Sequence, residues 1–206
     1  MLTLAVSKGR ILDETNELLI KAGIIKEPVI EGRKLVIEKP EDNLRFILAK
    51  PKDVPTYVQY GVADAGIVGK DVLHEKGKGY YELTDLKIGL CRLSLCGIKD
   101  KKNNQGEMIR IATSYPNVTA DYFRTKGQQV EIIYLNGSVE LAPLLGLSDY
   151  IVDIVSTGTT LRENGLEELE KIEDITCRLI VNQATYHLKN KFIDEIVEKL
   201  ERGLSQ

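Results

Sequence analysis

Short apolar segments with strand character recur along this chain, and most are followed by a segment with helical spacing. That alternation constrains the fold more than any other feature. LTLAV reads as a strand, and ILDETNELLIKAG as a helix with Ile11, Leu12, Leu18, Leu19 and Ala22 on one face and Gly23 at its end. KLVIE and LRFILAK flank PEDN as a hairpin. Asp53 is placed to cap a helix through Pro55, Tyr57 and Val58. ADAGIV reads as a strand and KDVLHEKG as a short helix.

The pattern restarts near residue 90. CRLSLCGI, MIRIATS, QVEIIYL and YIVDIV read as strands, NVTADYFRTKG as a helix and SVELAPLLG as a helix or helical turn. DKKNNQGE reads as a polar excursion. A helix is expected from Thr160, then a last strand, ITCRLIVNQ, and an amphipathic helix, HLKNKFIDEIVEKLERG. The expectation is an α/β fold with mainly parallel sheets covered on both faces, divided into two lobes. Lobe I takes residues 1–90 plus 177–206, and lobe II takes 91–176. Ligands of such folds sit at the carboxyl ends of strands, so the active site is expected in the inter-lobe cleft.

Composition removes several function classes. Net charge is −3, which gives no global basic field for nucleic acid or an anionic membrane. No stretch approaches the ~18 apolar residues of a membrane helix, and MLTLAVSKGR becomes charged too early for a signal peptide. Cys91, Cys96 and Cys177 are odd in number and lack CxxC spacing, which suits reduced core thiols in a cytoplasmic protein. His74 and His187 lie in no metal-ligand pattern, so a zinc site or a serine–histidine hydrolase is not expected. No GxxxxGK[ST] and no complete GxGxxG occurs.

DIVSTGTTL, residues 153–161, carries chemistry instead. Ser156, Thr157, Gly158, Thr159 and Thr160 offer hydroxyl and backbone donors to a phosphate monoester. An ordinary βα turn with Ser/Thr caps has the same composition. The acid Asp153 before the loop makes the stretch resemble the phosphoribosyl-pyrophosphate motif of phosphoribosyltransferases. Val152 stands where the paired-acid form has its first acid, which argues against the purine-salvage type.

LNGSVELAPLLGLSDYIVDIVSTGTTL (135–161), AKPKDVPTYVQYGVADAGIVGKDVL (49–73) and LAVSKGRI together resemble the catalytic subunit of ATP phosphoribosyltransferase, in its short form. The resemblance runs along nearly the whole chain. It implies a two-lobed architecture like that of periplasmic binding proteins, transfer of phosphoribosyl from phosphoribosyl pyrophosphate to N1 of ATP, and substrate-bound Mg²⁺ with no metal ligands from the protein. It also implies a self-dimer and a regulatory subunit similar to histidyl-tRNA synthetase.

On that resemblance the hydroxyl loop takes the 5′-phosphate, while Asp153 and Glu140 take the ribose hydroxyls. Lys8, Gly9 and Arg10 take pyrophosphate or ATP phosphates, and Lys50 neutralises the leaving group. Arg33 reaches ATP in a neighbouring subunit's site, and Asp64, Gly66 and Gly69 line an adenine pocket. The rival expectation is a two-lobed small-molecule binding or sensor module without turnover.

Overall fold

The computed structural model describes residues 1–77, 79–99 and 108–205. DKKNNQGE lies outside the described residues. The chain divides into two compact units, Met1–Gly89 with Thr176–Gln206, and Leu90–Ile175.

The first unit contains β1 (Leu2–Ser7), α1 (Arg10–Lys21), β2 (Val36–Lys39), β3 (Leu44–Ala49), α2 (Val54–Gln59), β4 (Ala65–Gly69), α3 (Lys70–Lys76) and β5 (Tyr80–Asp85). Its sheet has the order β2-β3-β1-β4-β11-β5, where β11 is Cys177–Asn182 from the chain's return. β1 is parallel to β3 and β4, while β2, β11 and β5 join antiparallel. Period-two alternation splits β1 between two cores. Leu4 and Val6 pack with Phe46, Ile67 and Leu179. Ala5 faces the other side, toward Val54, Val58 and Val72. The helix after β11, α7 (Gln183–Ser205), closes the first core with Ile193 and Leu200 and is interrupted at Lys189, whose φ/ψ of −130°/23° is not helical.

The second unit contains β6 (Cys91–Ile98), β7 (Ile109–Thr113), α4 (Pro116–Thr125), β8 (Val130–Tyr134), α5 (Leu141–Leu144), β9 (Tyr150–Val155), α6 (Thr159–Glu163) and β10 (Leu166–Ile175). Its sheet runs β10-β6-β9-β7-β8. One face buries Cys96, Ile151 and Val155 against Val139, Ala142 and Leu161. The other buries Leu93, Ile111 and Val152 against Tyr115 and Phe123.

Four expectations are corrected. The sheets are mixed, because edge and return strands add antiparallel pairs in both units. The helix beginning after the hydroxyl loop lasts only five residues. Asn164 donates its side-chain amide to the Thr160 carbonyl at 2.8 Å, and Gly165 at φ 70° turns the chain into β10. ITCRLIVNQ, which reads as one strand, serves two sheets: Ile175 ends β10 and Cys177 begins β11. Asp53 occupies the position before α2, but its side chain makes no capping hydrogen bond.

Candidate functional site

The carboxyl end of β1 carries a basic cluster in the first unit. Ser7 pairs with Ala49 in the β1–β3 register, and the Lys8 N–H donates to the Ala49 carbonyl at 3.2 Å. Lys8 and Lys50 therefore leave the same edge of the sheet. Gly9 adopts φ 73°, ψ −145°, a conformation costly for any side chain, and its carbonyl accepts from Leu12 N–H at 2.8 Å to start α1. The Gly9 N–H donates to Glu31 Oε2 at 3.0 Å, and Lys8 Nζ lies 4.0 Å from Glu31 Oε1. A carboxylate thus sits where an anion meets the N-terminus of a twelve-residue helix. Asn16 brings it there by holding the Val29 N–H and carbonyl at 2.8 and 2.9 Å, which anchors the loop before Glu31.

Arg10 is exposed and pairs with Glu14 at 3.1 Å, while the other Glu14 oxygen takes the Gly89 N–H at 2.5 Å. Arg33 is exposed on the loop between α1 and β2, and Lys50 is exposed ahead of α2. Gly69 ends β4, level with Lys8, because Val6 pairs with Ile67.

Asp64 and Gly66 do other work. Asp64 precedes β4, so it lies at the amino end of that strand, away from Lys8. Its carboxylate accepts from the Thr3 N–H at 2.8 Å, the Thr185 hydroxyl at 3.3 Å and Lys189 Nζ at 2.9 Å. These bonds tie β1 and α7 to β4. Gly66 is buried beneath α2, and a Cβ there would lie 2.8 Å from both Val54 Cγ1 and Val58 Cγ2. Gly66→Ala is therefore expected to cost about 1–3 kcal/mol by overpacking. A thermal melt checks this, with the ATP KM of the folded protein unchanged; a raised KM without lost stability would return Gly66 to the nucleotide site.

The second unit gathers the residues that the sequence resemblance assigns to phosphoribosyl pyrophosphate. Asp153 lies on β9 opposite Ser94 of β6, and Val155 lies opposite Arg92, so these four share one face of the sheet. Glu140 precedes α5 on that face's helical layer. The Cys96 thiol on the same face is pushed up to about 12, first by burial, then by the charges of Glu168 and Asp153.

The loop that follows leaves β9 at Ser156. Gly158 is left-handed at φ 71°. The Thr157 and Thr159 hydroxyl oxygens lie 3.0 Å apart. Ser156, Thr157, Thr159 and Thr160 are exposed. Because α6 is so short, its dipole contributes little; donors come from the hydroxyls and the loop backbone.

Two arginines hold that backbone, and the sequence alone did not single them out. Arg162 donates to the Thr157 carbonyl at 3.1 Å and to Thr159 Oγ1 at 3.2 Å. Arg92 donates to the Ser156 carbonyl at 3.0 Å. Its remaining donors fork onto Glu168 at 2.6 and 2.5 Å, and Ser94 Oγ donates to the same carboxylate at 2.8 Å. The guanidinium and the serine hydroxyl hold the Glu168 carboxyl below the usual glutamate range. The signal for Arg92 was the polar alternation Arg92–Ser94 within an otherwise apolar strand; Glu168 was hidden in a segment that reads as helix. Among the described residues no cluster of three or more His, Cys, Asp or Glu side chains suits a metal ion.

Comparison with known proteins identifies the family. A family model described as "HisG: ATP phosphoribosyltransferase" matches residues 50–202. The ATP phosphoribosyltransferase of Geobacillus sp. (strain WCH70) is 58% identical over 207 residues, covering all of both chains. A chain from the solved ATP phosphoribosyl transferase (HisG:HisZ) complex of Thermotoga maritima superposes with a TM-score of 0.83 at 40% identity, covering 100% of this chain and 99% of that one. In fold alone, the periplasmic aliphatic sulphonate binding protein SsuA of Escherichia coli is similar, with a TM-score of 0.63 at 12% identity over 98% of this chain and 72% of that one. The chain belongs to the ATP phosphoribosyltransferase family.

Proposed function

We propose that the chain transfers the 5-phosphoribosyl group of phosphoribosyl pyrophosphate to N1 of ATP, releasing pyrophosphate, in the first step of histidine biosynthesis. The observation that carries this reading is Asp153 near the carboxyl end of β9, on the sheet face that α5 and its leading Glu140 cover, running into a hydroxyl loop whose backbone is held by two arginines. The adenine N1 lone pair forms the new bond to C1 of the ribose, and the C1–oxygen bond breaks with its electron pair leaving on pyrophosphate. N1 needs no base to attack, so the chemistry asks only for positioning and charge stabilisation.

Ser156, Thr157, Gly158, Thr159 and Thr160 hold the 5′-phosphate. Asp153 and Glu140 accept from the ribose hydroxyls and offset positive charge developing at C1. Lys8, Arg10 and Lys50 neutralise pyrophosphate and ATP phosphates, with Gly9 donating its N–H; Arg33 and Gly69 contribute to ATP. Mg²⁺, when bound, neutralises pyrophosphate oxygens. Such an ion would keep water and substrate oxygens as its ligands, leaving Asp153 and Glu140 to the ribose hydroxyls.

We also assign a cytoplasmic setting, a self-dimer, and a regulatory partner corresponding to the second protein of the Thermotoga complex. Among the described residues no helix is long and apolar enough to cross a membrane.

Phosphate arriving at Gly9 has to displace Glu31. Glu31→Gln keeps an acceptor for the N–H and removes the charge. The inhibition constant of pyrophosphate is expected to fall about two- to fivefold, the size of an exposed charge interaction of up to ~1 kcal/mol. A constant that stays put or rises would take Glu31 out of the anion site.

The reading is tested by following pyrophosphate release from phosphoribosyl pyrophosphate with Mg²⁺, with and without ATP, for the chain alone and with its partner. ATP-dependent release that Thr157→Ala depresses supports it. Tight ligand binding without release, in the folded complex, would favour a binding module.

A further inference from the structure

The 5′-phosphate loop does not set its own shape. Its first carbonyl is taken by a side chain from a different strand. Arg92 starts on β6 opposite Val155, the last residue of β9, and reaches the Ser156 carbonyl at 3.0 Å. In a trans peptide the carbonyl and the following N–H point in opposite directions. Holding the Ser156 carbonyl therefore turns the Thr157 N–H away from Arg92. Arg162 does the same one peptide later, through the Thr157 carbonyl at 3.1 Å, for the Gly158 N–H. The loop's peptide dipoles are thus fixed before any ligand arrives, so no ordering is needed when phosphate binds.

Arg92 is itself fixed. Nε and Nη2 fork onto Glu168 at 2.6 and 2.5 Å, leaving Nη1 for the loop. A planar fork suits this division, with one edge on a carboxylate and one donor free for a carbonyl. Glu168 is further held by Ser94, which is fully buried. Ser94 pairs with Asp153 in the β6–β9 register, so one strand braces both the acid and the loop.

We propose that Arg92, set by Glu168, is a positioning residue for the phosphoribosyl 5′-phosphate: it aims the loop's peptide groups and touches no substrate. This rests on the phosphoribosyl-transfer reading of the loop. It differs from a purely structural ion pair because its effect falls on one substrate.

The test uses Glu168→Gln and Arg92→Lys in the full chain with its regulatory partner. Glutamine keeps the shape and an acceptor for Ser94 but weakens the anchor. Lysine keeps the charge but cannot fork and reach the loop together. The KM for phosphoribosyl pyrophosphate is expected to rise about tenfold, with the KM for ATP within twofold of wild type. The dissociation constant of ribose 5-phosphate, read by calorimetry without turnover, is expected to rise by the same factor.

An unchanged KM for phosphoribosyl pyrophosphate, or equal rises for both substrates with a lowered melting temperature, would overturn the positioning role. Should Arg92→Lys not fold, the near-isosteric Glu168→Gln carries the same readout. A wild-type complex that releases no pyrophosphate would instead contradict the transfer reading, which separates the two failures.

Discussion

Asp153→Asn is expected to lower kcat by about 10²–10³-fold, the range seen when one preorganised group facing transition-state charge is removed. The melting temperature is expected to hold within a few degrees. Asparagine is close to isosteric on β9, a strand paired on both sides by β6 and β7. Single-turnover kinetics and a thermal melt on the same preparation check both halves. Parallel losses of activity and stability would make Asp153 a structural acid.

Lys8→Ala is expected to lower kcat/KM by about 10²-fold, because the departing pyrophosphate loses a cation at a strand end. Stability is expected to fall by less than ~1 kcal/mol. The Lys8–Glu31 pair is 4.0 Å long with both side chains over a third exposed, and the backbone bond to Ala49 survives the substitution. A chemical melt and steady-state kinetics separate these effects. A variant that loses stability and keeps its activity would remove Lys8 from the leaving-group role.

Much of the fold was legible because buried strands and amphipathic helices have distinct periods. β1, β3, β9 and α1 declare themselves through apolar spacing that the two faces of each sheet require. β5 and β10 did not, for a physical reason. YYELTD and LEELEKIEDI are edge strands with exposed charged side chains, and glutamates and lysines at an edge look like a polar helix. Missing them made the sheets look more parallel than they are.

The site was legible where local sequence determines local geometry. The hydroxyl residues are exposed and their glycine turns left-handed, as those residue types favour. Asp64 shows the limit. An acid beside an apolar strand reads alike at 64 and 153, yet Asp64 precedes its strand and braces Thr3, Thr185 and Lys189, while Asp153 faces Ser94 near its strand's carboxyl end. Only the topology separates them. Arg92 and Glu168 are 76 residues apart and meet because β10 sets Glu168 opposite Cys96, on the β6 face that also carries Ser94 and Arg92, which no local pattern encodes.

The most direct measurement is an NMR spectrum of the product formed by the chain with its partner, using ATP carrying ¹⁵N at N1 and phosphoribosyl pyrophosphate carrying ¹³C at C1. The expected result is a one-bond nitrogen–carbon coupling in the product, with pyrophosphate released in equal amount. Ribose 5-phosphate formed beside untouched ATP, or no reaction in a folded complex, would contradict the assignment of this chain as the transferase.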